Sequence, residues 1–192
     1  MVGGHKLRII SGTAKGTKLT GLPGQETRPT ADRVKEALYN IIGASISGSS
    51  FLDLYAGNGG VGLEALSRGA HRVVLIDSNP KCTKIINTNR MKANFERGET
   101  YTNDVFLALK RLDKDNAKFD FIFMDPPYNK GLISKTLEEI GQLSVLKKDG
   151  IVIVEASNKE DAPQVVSKLS LMREQKYGDT KLYFYGFREE LE

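Results

Sequence analysis

The stretch Phe51-Leu52-Asp53-Leu54-Tyr55-Ala56-Gly57-Asn58-Gly59-Gly60-Val61-Gly62 decides the fold of this chain. A short apolar run at 51–55 reads as a strand, and a helical stretch follows at roughly 60–68. The glycines between them permit a tight turn and a close approach of the backbone to a ligand. The stretch therefore predicts a strand–turn–helix unit of the kind that builds parallel sheets.

The rest of the chain repeats this alternation of strand and helix. The apolar runs are short and nearly continuous, as expected for strands that are covered on both faces. An α/β fold with a doubly wound, mostly parallel sheet is the prediction. A last strand at 181–188 is predicted as an antiparallel edge. The predicted strands are 51–55, 73–77, 100–103, 119–124 and 151–155, and the predicted helices are 60–68, 80–93, 104–112, 131–143 and 160–169.

The N-terminal segment reads as a small arm ahead of this core. Residues 7–10 and 18–20 are predicted to pair as a β-hairpin, and a helix is predicted from Thr30, its N-cap, to about Ile42. We therefore divide the chain into an arm at 1–27 and a core domain at 28–192. Residues 1–25 contain basic side chains and no acid, which is typical of a nucleic-acid footprint but also of an ordinary solvated face. The basic residues of the arm are Lys6, Arg8, Lys15 and Lys18.

Length and composition exclude several classes of protein. The 192 residues fit one domain with a small appendage, and the mean hydropathy of −0.33 is typical of a globular chain. Cys82 is the only cysteine, so neither a disulfide framework nor a cysteine-based zinc cluster can form within one chain. His5 and His71 have no evident partners and are interpreted as surface residues, so no metal site is expected. No apolar run approaches the roughly 18 residues of a membrane span, and a cytosolic location is expected.

A second motif, Asp125-Pro126-Pro127-Tyr128, follows the apolar run at 119–124. It falls at the carboxyl end of a predicted strand, where open α/β sheets bind ligands. The two prolines stiffen the loop. A stiff loop can present the Asp125 carboxylate and the Pro126 carbonyl beside an aromatic ring, which suits a flat base with an exocyclic amino group. The alternative is a surface turn with a solvated aspartate.

The glycine turn leaves two cofactors open. Gly57, Gly59 and Gly62 match G-x-G-x-x-G, and Asp77 lies 20 residues after Gly57, as in NAD sites. Asp53, however, stands where a pyrophosphate would approach, and a carboxylate there repels phosphate and attracts an ammonium. S-adenosylmethionine carries an ammonium and a sulfonium and no phosphate, which favours it over NAD.

The acids at the ends of consecutive strands complete this predicted cofactor site. Asp77 can accept hydrogen bonds from both ribose hydroxyls, and Asp104, after Asn103, can accept one from the adenine amino group. Each of the three acids, Asp53 included, could instead be a helix N-cap. Asn58 lies within the glycine turn and is assigned to the same site.

This combination resembles the class I S-adenosylmethionine-dependent methyltransferases, which have a Rossmann-like fold. More narrowly, nearly the whole chain is similar to the bacterial small-subunit ribosomal RNA guanine-N2 methyltransferases, which modify one guanine of 16S ribosomal RNA. A small departure is Asn58, where the family often has serine. The blocks that carry the resemblance are Arg8-Ile-Ile-Ser-Gly-Thr-Ala-Lys-Gly, Thr27-Arg-Pro-Thr-Ala-Asp-Arg-Val-Lys-Glu-Ala-Leu-Tyr-Asn, Asp53-Leu-Tyr-Ala-Gly-Asn-Gly, Leu63-Glu-Ala-Leu-Ser-Arg-Gly-Ala and Asp125-Pro-Pro-Tyr.

The resemblance implies an enzyme that acts on 16S ribosomal RNA. Because a chain this short has no separate reader domain, we expect its substrate to be an assembled or partly assembled small subunit, and we expect the enzyme to be a monomer. The loop 125–128 would hold the base, with Tyr128 stacked on it. The first turn of the helix at Thr30 would receive the cofactor carboxylate, or Arg28 and Arg33 would meet RNA phosphate together with Arg8, Lys15 and Lys18. Because the arm is predicted to act on RNA alone, its removal is expected to leave cofactor binding unaffected.

Three other functions remain open on the sequence. A DNA adenine-N6 methyltransferase uses the same loop chemistry but usually has a target-recognition region, for which this chain has little room. An NAD-dependent oxidoreductase is disfavoured by Asp53 and by the loop 125–128. A non-catalytic RNA-binding module would need only the basic arm.

Overall fold

A computed structural model of the chain describes residues 7–22, 30–128 and 130–188, without the side chains of residues 30 and 31. The helices are α1 Thr30–Ile42, α2 Gly60–Ser67, α3 Pro80–Lys92, α4 Val105–Lys114 and α5 Leu132–Gln142, with a short 3-10 helix at Gly43–Ile46. The strands are β1 Ser50–Leu54, β2 Arg72–Asp77, β3 Glu99–Thr102, β4 Phe119–Met124, β5 Leu146–Ser157, β6 Val165–Val166, β7 Leu169–Tyr177 and β8 Thr180–Phe187.

The strands form one eight-stranded sheet in the order β3-β2-β1-β4-β5-β8-β7-β6. Strands β1 to β5 are parallel, and β8, β7 and β6 extend the sheet with antiparallel pairs. The chain order reverses at β1, whose neighbours are β2 and β4. Ligands of open α/β sheets bind at such a switch point, at the carboxyl ends of the strands. The predicted fold class is confirmed.

Helices cover both faces of the sheet. On one face α1, α2 and α3 pack with residues such as Val34, Leu63 and Ile86, in a cluster that also contains residues of β1, β2, β4, β5 and β8. On the other face α4 and α5 pack with Leu109 and Leu137. The strands between them are buried on both sides, which explains the continuous apolar runs in the sequence.

The C-terminal third departs from the sequence predictions in two places. The helix predicted at 160–169 is wrong: the β-branched pair Val165-Val166 forms β6, and Ser167, at φ +52°, turns the chain into β7. Pro163 disfavours a helix there, because it lacks the N–H that a helix interior needs. The last strand, β8, is antiparallel as predicted, but it lies inside the sheet because β7 pairs with its other side. Strand β7 was not predicted, since its middle residues are exposed and mostly polar.

The N-terminal arm forms an antiparallel hairpin, but between residues 7 and 22, its described part, it has a single bridge, Arg8 to Lys18, and not two full strands. Its apolar side chains belong to the core: Ile9 is fully buried, and Ala14 and Leu19 are nearly so. All three join the cluster formed by α1, α2 and α3. The described part of the arm is therefore packed onto the domain, across α2.

Candidate active site at the sheet switch point

A cavity of about 200 Å³ opens at the carboxyl ends of β1 and β4. Four carboxylates line it, from Asp32, Asp53, Asp125 and Glu155, together with the ammonium group of Lys35. Among the described residues, acids thus outnumber bases around this cavity. Such a lining favours a cationic ligand and disfavours a pyrophosphate.

Asp53 is the most deeply buried of these acids, with 1% of its surface exposed. Its Oδ2 accepts a hydrogen bond of 2.8 Å from the N–H of Gly62, in the first turn of α2. Burial, reinforced by the charges of Asp125 and Asp77, raises the pKa of Asp53 to about 8. At neutral pH the carboxyl group is therefore mostly protonated until a cation lies beside it.

Gly62 is required by this arrangement. A Cβ there would lie 2.7 Å from Cδ2 of Leu75 and 3.0 Å from Oδ2 of Asp53. The glycine thus lets α2 approach β2 closely and brings its N–H to the carboxylate.

The raised pKa of Asp53 predicts pH-dependent cofactor binding. A bound ammonium stabilises the ionised form and lowers this pKa, so binding near pH 7 releases a proton, and affinity rises with pH up to about 8. Asp53→Asn keeps an acceptor for Gly62 but removes the charge. We expect a dissociation constant about 10- to 100-fold higher, because hydrogen bonds to charged groups contribute roughly 1.5–3 kcal/mol. Calorimetry in buffers of different ionisation enthalpy measures both effects.

The stability of Asp53→Asn is the control. The native state of the protein holds a proton on Asp53 that the unfolded state loses above pH 4, so ionisation of Asp53 makes wild-type stability fall between about pH 4 and 8. The substitution removes this dependence without a loss of stability at pH 7. Equal proton release by both proteins would show that Asp53 does not face the cofactor.

Asp77 is built into the glycine turn. Its Oδ2 accepts from the N–H of Gly57 and its Oδ1 from the N–H of Asn79, each at 2.8 Å. Each carboxylate oxygen has a second lone pair, so a ribose can still be accommodated. The assignment of Asp77 to the ribose stays a prediction. The N-cap of α3 is Asn79, so Asp77 does not fill that alternative role.

Asn58 and Gly59 shape the same turn. The Oδ1 of Asn58 accepts from the N–H of Gly60 at 2.9 Å, and its carbonyl accepts from Nδ2 of Asn89 at 3.0 Å. Gly59 has φ +80°, a conformation that favours glycine. Gly57 and Asn58 line the cavity, whereas Gly59 packs against Ile86 and acts through the backbone.

Asp104 is the N-cap of α4, as the alternative interpretation proposed. Its Oδ1 accepts from the N–H groups of Phe106 and Leu107 at 2.9 and 3.2 Å. Within the described part of the chain Oδ2 has no hydrogen-bond partner, and the residue is exposed. A cap and an adenine acceptor are thus compatible, and the second role stays a prediction.

The loop 125–128 follows β4 directly, as predicted. Asp125 is exposed and lines the cavity, Pro126 is buried, Pro127 is exposed and Tyr128 is partly exposed. The charge of Asp125 contributes to the raised pKa of Asp53. The structure therefore brings together the carboxylates of the two motifs that the sequence singled out separately, 72 positions apart.

Tyr55 was not singled out by the sequence, although it lies inside the glycine motif. It is a non-glycine residue at φ +60°, and its hydroxyl is 2.9 Å from Oγ1 of Thr136, a fully buried residue of α5. Its backbone is thus held in a strained conformation beside the cavity. Lys35 and Glu155 also line the cavity and were missed, because only the tertiary structure brings them there.

Glu64 holds the arm against this site. Its side chain is fully buried and accepts from the N–H groups of Ile10 and Ser11 at 2.7 and 2.9 Å. Its carboxylate lies 3.6 Å from Nζ of Lys35 and 2.8 Å from Nε of Arg68. Burial lowers the pKa of Lys35, and the charge of Glu64 opposes this shift. The network joins arm, α1 and α2 through one carboxylate.

Asn89 attaches the other end of the arm. This fully buried side chain accepts from the N–H of Thr20 at 2.7 Å and donates to the Thr20 carbonyl at 2.9 Å. Because Asn89 also donates to Asn58, arm and glycine turn share one anchor. Leu7 lines the cavity itself. These contacts argue against the expectation that the arm can be removed without affecting cofactor binding.

The candidate RNA-binding side chains are placed as follows. Arg8, Lys15, Lys18 and Arg33 are exposed, and Nε of Arg8 is 3.9 Å from Asp32. Arg8 and Lys15 line a groove of about 440 Å³ with Arg68, which the sequence did not single out. Arg28 lies outside the described residues. Helix α1 spans Thr30–Ile42, and the predicted N-cap role of Thr30 and its proposed contact with the cofactor lie outside the described side chains and stay predictions.

The described part of the chain offers no candidate for a metal site or a membrane span. There, no group of three or more His, Cys, Asp or Glu residues could hold a metal ion. No helix in the described ranges is long and apolar enough to cross a membrane. His71 is exposed, and His5 lies outside these ranges.

The sheet order, the glycine turn and the acidic cavity at the switch point define a Rossmann-like methyltransferase. Residues 7–186 match the family model described as conserved hypothetical protein 95. A putative rRNA methyltransferase, YlbH of Bacillus subtilis, is 36% identical over 95% of this chain and 100% of its own length. Ribosomal RNA small subunit methyltransferase D of Escherichia coli is 32% identical over 95% of this chain and 91% of its own.

The solved structure of the putative methyltransferase yhhF from Escherichia coli superimposes with a TM-score of 0.82, at 27% identity, over 96% of this chain and 99% of that one. The chain belongs to the conserved hypothetical protein 95 family, which includes the small-subunit ribosomal RNA methyltransferases D. The resemblance noted from the sequence is confirmed. Membership of a methyltransferase family decides against the NAD-dependent oxidoreductase.

Proposed function

We propose that the protein transfers a methyl group from S-adenosylmethionine to the exocyclic N2 of one guanine in 16S ribosomal RNA. The observation that carries this proposal is the shared cavity of Asp53 and Asp125 at the switch point. Its carboxylates match both a cationic methyl donor and an amino group that must be held by acceptors. The family relatives that are named as ribosomal RNA methyltransferases support the choice of RNA.

The cofactor site follows from the strand ends. Asp53 receives the ammonium group, Asp77 the ribose hydroxyls and Asp104 the adenine amino group, so that the cofactor lies along the carboxyl edge of β1, β2 and β3. The Gly57–Gly59 turn provides backbone at close range. Because Asp53 and Asp125 line the same cavity, the loop 125–128 would bring the base to the part of the site that would hold the methionine portion and supply the methyl group.

The loop prepares a weak nucleophile. The lone pair of guanine N2 is delocalised into the ring, so the amino group must be turned towards the sulfonium methyl. Asp125 and the Pro126 carbonyl accept its two N–H groups, and Tyr128 stacks on the base, an interaction worth about 1–3 kcal/mol. Holding the nitrogen and the methyl group in line lowers the barrier by on the order of 7–11 kcal/mol, which is more than the two hydrogen bonds contribute. Pro127 keeps the loop stiff.

The reaction consumes the positive charge of the cofactor. The N2 lone pair forms the new bond to the methyl carbon as the carbon–sulfur bond breaks, which leaves neutral S-adenosylhomocysteine. The amino group then loses a proton to water or to Asp125. Once the sulfonium charge is gone, the acidic cavity holds the product less strongly than the donor, which favours release.

The base has to leave its stack to reach this cavity. In this proposal Arg8, Lys15, Lys18, Arg28 and Arg33 position the RNA through its phosphates. Folded ribonucleoprotein holds phosphates in a fixed shape, which suits such a reader better than naked RNA does. We therefore propose an assembled or partly assembled small subunit as the substrate, a monomer as the active form and the cytoplasm as the place of action.

Product analysis tests this function. The protein is incubated with methyl-labelled S-adenosylmethionine and small subunits that lack the modification, with naked 16S RNA, or with duplex DNA, and the nucleosides are then identified. We expect N2-methylguanosine from RNA, more of it from subunits than from naked RNA, and no product from DNA. N6-methyladenine from DNA would establish the alternative DNA methyltransferase. Asp125→Ala is the control for contaminating activity.

A further inference from the structure

Helix α3 carries a basic face that the proposed function has not used. Its residues include four basic side chains, Lys81, Lys84, Arg90 and Lys92, and neither aspartate nor glutamate. Lys81, Lys84 and Lys92 are exposed. Their spacing of three and eight residues places them on one side of the helix, over about 16 Å of its length.

The lysines of this face differ from the paired cations of α4. On α4, Nζ of Lys110 lies 3.6 Å from Glu139 and Nε of Arg111 lies 3.9 Å from Asp115. Among the residues that the structure describes, no carboxylate lies within ion-pair distance of Lys81, Lys84 or Lys92. A row of like charges without acidic partners repels itself and favours a polyanion.

The position of α3 connects this row to both parts of the proposed RNA site. The helix begins at Pro80, three residues after Asp77, so that Lys81 lies at the ligand edge of the sheet. At its other end, Nζ of Lys92 donates to Oγ1 of Thr20 in the arm at 2.6 Å. The arm also has basic side chains and no acid between residues 7 and 22.

Resting on the proposed function, we infer that the exposed face of α3 binds the phosphate backbone of the substrate RNA, with Lys81 and Lys84 as its contacts. In this arrangement the RNA strand runs along α3 from the arm to the cavity. The other exposed side chains on this face, Thr88 and the 74% exposed Met91, are uncharged and therefore do not repel phosphate. The RNA footprint thus extends beyond the arm to the helix that flanks the ribose site.

The test is a salt titration of RNA binding with Lys81→Gln/Lys84→Gln. Its matched control is Lys110→Gln/Lys114→Gln on α4, on the opposite face of the sheet, which removes the same charge. Binding of a labelled 16S RNA transcript is measured over a series of salt concentrations. We expect the α3 variant to bind on the order of tenfold more weakly at 0.1 M salt and its log–log slope to fall by about 1.5, since each phosphate contact contributes about 0.7–0.9.

The control variant should bind like the wild type, and both variants should keep the wild-type affinity for S-adenosylhomocysteine. Equal slopes for both variants would overturn the α3 surface and leave the proposed function intact. A defect with duplex DNA but not with RNA would assign the surface to DNA and overturn the inference. Failure of the wild type to bind both the transcript and small subunits that lack the modification would overturn the proposed function and this surface together.

Discussion

Asp125→Ala should lower the turnover number by a factor on the order of 10²–10³, the effect of removing one oriented polar group from a reacting centre. The side chain lines the cavity at the end of β4, where it can accept from the amino group of the base. Without it, the Pro126 carbonyl alone orients the nucleophile. Single-turnover methylation with saturating RNA measures the loss, and the affinity for S-adenosylhomocysteine should change by no more than a few-fold.

Asp125→Asn is the matched variant, because it removes the same charge and keeps a carbonyl acceptor. It should retain measurable activity, while both variants lower the pKa of Asp53 by the same amount, since the charge of Asp125 helps to raise that pKa. Proton release on cofactor binding near pH 7 should therefore fall equally in both. Full methyl transfer by Asp125→Ala would remove the loop from the mechanism.

Glu64→Gln should destabilise the protein by about 3–5 kcal/mol, the usual cost of removing one partner from a buried ion pair. Glu64 is fully buried between Lys35 and Arg68 and accepts from two backbone N–H groups of the arm. Glutamine keeps one acceptor and leaves Lys35 without its main counter-charge. Urea denaturation at neutral pH measures the change in the free energy of unfolding.

The pH dependence separates the ion pair from simple packing. The pKa of Lys35 is already lowered in the folded protein, and loss of Glu64 lowers it further. Between this lowered pKa and 10.5, Lys35 is protonated in the unfolded chain but not in the folded one, and this pH range is wider in the variant. The free energy of unfolding of the variant therefore rises as pH rises through that range. Glu138→Gln, an exposed change on α5, should stay within about 0.5 kcal/mol of the wild type. Equal stability of the two variants would contradict the anchoring role.

The alternation of apolar runs predicted the parallel part of the sheet well. Strands β1, β2 and β4 and helices α2 to α5 lie within a few residues of their predicted bounds, because buried parallel strands have continuous apolar sequences. The antiparallel extension was harder to predict. In strand β7 apolar and polar residues alternate only weakly, and the residues in its middle are exposed. Its pairing with β8 depends on the tertiary fold and leaves no local pattern in the sequence.

The residues of the site likewise divide into those that the local sequence predicted and those that only long-range contacts reveal. The residues that lie at strand ends, Asp53, Asp77 and Asp125, were assigned to one edge from the sequence alone, since parallel strands bring their carboxyl ends together. The roles of Glu64 and Asn89 were missed. Each lies within a helix, and its role comes from hydrogen bonds to arm residues that are 54 and 69 positions away in the sequence.

The sequence by itself determined the fold class, the family and the two motifs that face each other across the switch point. It could do so because periodicity, glycine turns and a rigid proline loop are local properties of the chain. Only the tertiary structure decided the protonation of Asp53, the anchoring of the arm on Glu64 and Asn89, and the continuity of the arm with α3. These depend on burial and on charges that are distant in the chain, because desolvation and Coulomb interactions are set by distance in space and not by separation in sequence.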